Sequence, residues 1–398
     1  MNVDARAYLR FLASCGWFAC SCVVLTMPLL AFYIHQLKSV GEFVSGRDVA
    51  EVAAREPILW ASNYFDIASH LKIDVSSEIK PRVVALGSSR VMQFRGRMFN
   101  RLAPHEFYNV GGGVRGFHEA IDCIDAMVAA DAKPEMVILG VDWWWLQSHK
   151  TETDSWKDFW DRHGGRALSN GKKKLQKQMA FFLDRIQLLQ SAWRDPRIHE
   201  AWFSGPRRDP QTQRRLLGAH RQGGFRNDGS YRYAQYIANP PPLESRRAEG
   251  FERFERGKYR GNGIHMSHLV DCESFLARCQ RHGIQVIVIL PPVDRLVLER
   301  FRASVHSKDF WAQAPRSLSG VCENHGAVFA DLSDPTSLQA ADEEFVDWFH
   351  GSDKLYGRIV NQLANRETTA HILAPYVDAD KLDIDLENSV SPLDLYGD

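Results

Sequence analysis

The chain has 398 residues, 44% apolar and 25% charged, the balance of an ordinary folded protein, which excludes disorder as its overall description. Lysine plus arginine equals aspartate plus glutamate at 49 each, so no global field argues for a nucleic-acid partner. The length exceeds the usual single domain and leaves room for one enlarged domain or two smaller ones.

From Phe11 to Ile34 there is no charged residue. A helix of that length reaches about 36 Å, enough to cross a hydrocarbon layer of about 30 Å. The competing reading, a cleaved signal peptide, fits less well: the stretch is longer than a typical h-region and no A-x-A-like site follows it. Arg6 and Arg10 precede the span, and only His35 and Lys38 follow closely. That bias puts the N-terminus in the cytoplasm and the rest on the outer side of the cytoplasmic membrane, in the periplasm or outside the cell. Residues 1–38 are thus a single-pass anchor in the lipid bilayer, and 39–80, with helical stretches and polar breaks, read as a stalk.

Residues 81–365 then alternate strands and helices. Arg82–Leu86 is a short β-branched run ending in Gly-Ser-Ser, followed by a helical stretch. Phe107–Val110 is a strand closed by Gly111, Gly112 and Gly113, and Phe117–Ala130 has helical periodicity. Met136–Val141 is a third strand. An insertion over about 151–262 interrupts the pattern, with 23 basic against 13 acidic side chains and helices expected at Lys172–Trp193 and Leu243–Lys258. Alternation resumes with helix His268–His282, strand Ile284–Leu290, a helix near Leu296–Ala312, strand Ala327–Asp331 and helix Leu355–Ala364. Such alternation predicts an α/β fold, a mainly parallel sheet covered on both faces, with ligands at the carboxyl ends of its strands. Residues 366–398 carry an excess of aspartate and read as a poorly ordered acidic tail.

Three of the seven cysteines lie in the apolar span, and no disulfide framework is implied. No C-x-x-C or His-rich metal spacing occurs, so neither a structural zinc nor another cofactor is expected. Trp143, Trp144 and Trp145 follow the third strand, and Trp156, Phe159 and Trp160 come soon after. Strand alternation keeps all three of the first group from sharing one core. Their readings are a sugar-stacking platform, a membrane-interface contact, or packing under the insertion. Lys172, Lys173, Lys174 and Lys177 are either a solvated helix face or an attraction for anionic lipid or an acidic polymer.

Three separated groups point to acyl chemistry. Ser88, Ser89 and Arg90 follow the first strand, where a helix N-terminus would favour negative charge. The glycines after the second strand let backbone N–H groups approach a reacting oxygen. Asp347 and His350 are three residues apart, so the carboxylate can orient one imidazole nitrogen and leave the other facing a nucleophile.

The order and identity of these blocks resemble the SGNH (GDSL-like) hydrolase superfamily, more narrowly its membrane-anchored, DltD-like members in cell-envelope polymer modification. The resemblance spans about residues 82–365, outside much of the insertion, and rests on ALGSSRV, FYNVGGG and FVDWFH, with GFRNDGSY at 224–231 as a further likeness. It implies a three-layer, flavodoxin-like α/β fold with Ser89 as nucleophile, Ser88 in place of the usual aspartate, and His350 and Asp347 as base and acid. An oxyanion-hole amide is implied at Gly111, with Gly112 the near alternative. The third block departs: Gly140-Val141-Asp142-Trp143 carries Asp142 where the family often has an asparagine donor, and an ionised carboxylate accepts rather than donates. Arg90 is read either as charge compensation at the site or as a salt bridge to Asp142. The implied function is acylation of an envelope or exported polysaccharide, with a multi-span membrane-bound O-acyltransferase supplying the acyl group. A carbohydrate esterase and a catalytically weakened scaffold are the alternatives.

Overall fold

The computed structural model describes residues 44–61, 68–147, 208–209, 212–217, 223–257, 261 and 263–397, with isolated positions between 10 and 42 and residue 194. Helix Lys172–Trp193, the lysine run, and Trp156, Phe159 and Trp160 lie outside the described residues. Most of the span Phe11–Ile34 is described only at scattered positions. Those are helical, with Trp17, Phe18 and Val24 exposed. Among the described residues no helix is long and apolar enough to cross a membrane.

In chain order the elements are α1 (Gly46–Ala53), β1 (Ile58–Trp60), α2 (Ala68–Ile79), β2 (Val83–Gly87), β3 (Phe107–Asn109), α3 (Phe117–Ala129), β4 (Met136–Gly140), β5 (Arg215–Leu217), β6 (Gly224–Phe225), β7 (Tyr231–Arg232), α4 (Ala234–Ala238), α5 (Leu243–Glu255), α6 (Met266–Arg281), β8 (Gln285–Leu290), α7 (Arg295–Ala303), α8 (Lys308–Asn324), β9 (Val328–Asp331), α9 (Asp353–Asn365), α10 (Glu367–Leu373) and α11 (Ala379–Asn388). The main sheet has five strands in the order β3-β2-β4-β8-β9, all parallel and flanked by helices.

Alternation along each central strand builds two cores. Val84, Leu86, Val137, Leu139, Val286 and Val288 point to one face, against α1, α2, α3, α6, α7 and α8. Val83, Ala85, Met136, Ile138, Ile287 and Ile289 point to the other, against α9, α10 and α11. Because both faces are covered, each strand is a continuous apolar run in sequence. The chain leaves β2 in one direction for β3 and in the other for β4, so strand order reverses between β2 and β4. The carboxyl ends at that reversal form the crevice where open sheets of this type bind ligands, and Gly87 and Gly140 are the last paired residues there.

Several expectations change. The described residues 44–61 and 68–80 are part of the folded body rather than a stalk: β1 pairs with β5 and β6 in a second, four-stranded sheet, order β5-β1-β6-β7, and α2 buries Leu71 and Val75. The insertion supplies the other three strands of that sheet. The helix expected near Leu296–Ala312 is two helices broken at 304–307. The acidic tail is ordered. Asp380 and Asp383 are exposed, Asp378 and Asp385 half-buried and Asp394 buried, while Leu373, Leu382, Leu386 and Leu395 enter the second core, and the Asp353 carboxylate accepts the Leu395 N–H at 2.7 Å. Composition alone predicts a poorly ordered tail, but its leucines recur at helical spacing and bury against α9.

Each buried leucine contributes roughly 1.5–3 kcal/mol, so four amount to about 6–12 kcal/mol. That rivals the whole stability of a typical domain, about 5–15 kcal/mol. A chain truncated after residue 366 is therefore expected to lose cooperative unfolding, as checked by thermal denaturation and size-exclusion chromatography against the full chain.

Candidate active site

The stretch after β2 makes a single 3₁₀ turn, Ser89–Val91, instead of the expected helix. One turn aligns too few peptide dipoles to act as a macrodipole, so the serine owes little to helix electrostatics. Ser88 is the N-cap, its hydroxyl accepting the Arg90 N–H at 3.2 Å. Gly87 at φ +152° and Gly140 beside it leave room for Val91, whose side chain fills the space a Cβ at either position would need.

Beyond β9 in the chain, residues 345–351 form a tight loop closed by a bridge between Phe345 and Gly351. Asp347 Oδ1 accepts the N–H groups of Phe349 and His350 at 2.9 and 2.8 Å. Its Oδ2 lies 2.6 Å from His350 Nδ1. The i,i+3 spacing is thus met by a side-chain-capped turn, not by a helix. Across 261 positions of sequence, His350 Nε2 lies 2.8 Å from Ser89 Oγ. Burial raises the Asp347 carboxyl, but the His350 imidazole and the two backbone amides outweigh it and hold the group below its ordinary value. Asp347 therefore stays an acceptor at neutral pH, so Nδ1 is the ring nitrogen that faces the carboxylate and Nε2 the one turned to Ser89.

Arg90 is buried, 1% exposed. It pairs with Asp142 at 3.2 Å and donates to the carbonyls of Pro291 (2.7 Å), Pro292 (2.8 Å) and Phe349 (3.3 Å). Its guanidinium also lies 4.5 Å from the Trp143 ring centroid. Of its two readings, the salt bridge to Asp142 is what the fold contains. Burial pushes the Asp142 carboxyl up, opposed by Arg90, Ser88 and His350. Trp143 and Trp145 are buried and Trp144 half-buried. The three lie on a 3₁₀ turn, not on a strand, so the turn and not the pleat separates them.

The glycine turn differs from expectation. Gly111 N–H donates to Asn109 Oδ1 at 2.7 Å and Gly112 N–H to Gly87 O at 3.0 Å, so both amides proposed as oxyanion donors are committed within the protein. Glycine is needed at 111 for close approach: a Cβ there would sit 2.6 Å from Asn109 Oδ1 and 2.9 Å from the Met92 nitrogen. Ser89 N–H, in contrast, has no acceptor among the described residues. It is the backbone donor this arrangement offers a developing oxyanion.

Sequence reasoning missed the groups that hold these turns together. Asn109 donates to Val91 O and Phe94 O at 2.8 and 2.9 Å, bracing the serine turn against the glycine turn. A buried asparagine ending a strand was its one sequence signal. The 224–231 stretch is laced to both turns: Asp228 O accepts Asn109 N–H at 2.8 Å, and Tyr231 N–H donates to Met92 O at 2.9 Å. From α5, Arg246 donates to Phe345 O. Arg247 grips Asp294 and Asp342, and a Cβ at Gly250 would lie 2.8 Å from Trp348. Tyr233 sits with its ring centroid 6.2 Å from that of His350. No local spacing announces these contacts.

Comparison with known protein families finds no matching model, and none of the curated proteins matches the chain.

Asp142→Asn removes the carboxylate partner of a buried guanidinium and is expected to cost about 3–5 kcal/mol, measured by chemical denaturation. A carboxyl held below its ordinary value of about 3.9 stabilises the fold fully above that value and loses the contribution as pH falls through the lower folded value. The stability difference between the native chain and Asp347→Asn should therefore be constant from pH 7 to about 5 and shrink below about 4. A difference that grows in acid would contradict the assignment.

Proposed function

We propose that this protein is a membrane-anchored serine acyl-transfer enzyme of the SGNH type, with a flavodoxin-like, three-layer domain on the outer side of the cytoplasmic membrane. The observation that carries the reading is the continuous line from Asp347 through His350 to Ser89, 2.6 and 2.8 Å long, at the strand-order reversal of a parallel sheet. His350 Nε2 takes the hydroxyl proton as Ser89 Oγ attacks an acyl carbonyl. The tetrahedral oxyanion lies against Ser89 N–H, and collapse returns the proton to the departing group, leaving acyl-Ser89. A second hydroxyl, deprotonated by the same imidazole, then takes the acyl group. Where that hydroxyl belongs to a sugar the product is an O-acylated, for example acetylated, polysaccharide. Where it belongs to water, the protein is an esterase.

Transfer is favoured by the tether. Phe11–Ile34 has the length and apolarity to span a bilayer, and its described positions expose Trp17, Phe18, Val24, Met27 and Phe32, which suits contact with lipid. An anchored enzyme next to envelope polymers takes its acyl groups from a multi-span membrane-bound O-acyltransferase partner. The competing reading, a catalytically weakened scaffold, draws on the committed glycine amides and on Asp142. Lacking one oxyanion donor typically slows acyl transfer about 100- to 1,000-fold, which a slow polymer modification tolerates.

Incubation of the protein with an activated acetyl ester should add one acetyl group by intact mass, mapped to Ser89, and Ser89→Ala should abolish it without changing the melting temperature. Labelling that persists in Ser89→Ala removes the serine from its role. Native polymer acylation in cells carrying Ser88→Ala with Ser89→Ala would favour the scaffold.

A further inference from the structure

Lys72 is a buried lysine in α2 with no solvent exposure. Its neighbours in that helix, Leu71 and Val75, join the first core, where an apolar side chain would pack at less cost. Instead, Lys72 Nζ donates to Gly111 O at 2.5 Å and lies 4.0 Å from the Phe225 ring centroid. Among the described residues no carboxylate pairs with it within salt-bridge distance. Burial pushes the ammonium well below its usual pKa range, with Asp228 opposing, so keeping the charge there weighs against folding.

The contact sits two steps from the reacting serine. Gly111 C=O and Gly112 N–H belong to one peptide plane. That N–H donates to Gly87 O at 3.0 Å, an oxygen also reached by Val114 N–H at 3.3 Å. Gly87 C=O in turn belongs to the peptide that enters Ser88 and Ser89. Gly112 stands at φ +82° between two other glycines, where the backbone rotates with little steric restraint. A half-turn of the 111–112 peptide would withdraw its N–H from Gly87 and present a carbonyl oxygen to another carbonyl. Lys72 Nζ has N–H donors whether charged or neutral, and the orientation that offers it the Gly111 oxygen is the one that also keeps the Gly112 N–H on Gly87 O.

We propose that Lys72 is a positioning residue for Ser89, selecting one orientation of the Gly111–Gly112 peptide at some expense of stability. This rests on the acyl-transfer reading given above. It assigns a catalytic purpose to α2, a segment outside the three blocks that carry the serine, the glycines and the histidine.

The test compares the detergent-solubilised full chain with its Lys72→Met and Lys72→Gln variants. Methionine keeps the length of the side chain and removes its donors, while glutamine keeps one donor group. Lys72→Met should melt at the same temperature as the native chain or above it. Its acylation rate with an activated acetyl ester should fall about 10- to 100-fold, in kcat with KM unchanged, and hydrogen exchange should quicken in the peptide containing Gly112. Lys72→Gln should recover part of the rate. A melting temperature well below native, failure of Lys72→Met to fold, or an unchanged acylation rate would each overturn the proposal. Absence of any acyl-Ser89 in the native chain would instead overturn the acyl-transfer reading, and the positioning role of Lys72 with it. Native-rate acylation in Lys72→Met would overturn Lys72 alone.

Discussion

The arrangement at the sheet's rim depends on one buried cation. The Arg90 guanidinium ties its own turn to Asp142 beyond β4, to the Pro291 and Pro292 carbonyls beyond β8, and to the Phe349 carbonyl. A single carboxylate would not repay the burial of that charge. Three carbonyls and the face of Trp143 complete its surroundings, a set suited to a planar fork of donors and not to a lysine. The two ends of this staple matter most, because Ser89 precedes Arg90 in the chain and His350 follows Phe349. Locking Arg90 to Phe349 O brings within reach the two side chains that meet at 2.8 Å.

Around that staple, segments outside the alternating core act as a collar. The loop 345–351 has one bridge of its own, so its orientation comes from outside: Arg246 on Phe345 O, Asp294 N–H on Trp348 O at 3.0 Å, and Gly250 against the Trp348 ring. The 224–231 stretch does the same for the serine and glycine turns, and Gly229 at φ +74° lets it approach the Asn109 carbonyl closely. Among the described residues, three arginines of the insertion are tied up in ion pairs with the rest of the fold. Arg208 and Arg215 pair with Glu56, and Arg247 with Asp294 and Asp342.

The site is unevenly equipped. The His350 imidazole is held on both nitrogens, by Asp347 and by Ser89, whereas of the neighbouring backbone amides those of Gly111 and Gly112 are committed within the protein and that of Ser89 is not. The glycine turn that looked like a second donor is a packing device, its amides turned inward to Asn109 and Gly87. Glycine in such a turn carries two signals, freedom to approach and a bare N–H. The sequence cannot tell them apart, because the acceptor that claims the N–H comes from a side chain whose rotamer is set by packing.

Most of the layout was nonetheless legible. Apolar runs such as VVALG and MVILG announce strands buried on both faces, since burial on both sides removes the polar alternation that an exposed strand shows. The polar blocks after those runs mark the carboxyl ends where the site lies, and the three-residue spacing of Asp347 and His350 limits them to one turn of chain. Tertiary structure alone decided that residues 44–61, 68–80 and 366–397 belong to the body, that Arg90 is a staple, and that Lys72 reaches Gly111. The physical reason is common to all of these. Periodicity records how often a residue type is buried along one element, but the partner of a buried polar group is chosen by whichever distant element arrives beside it, and no local pattern encodes that approach.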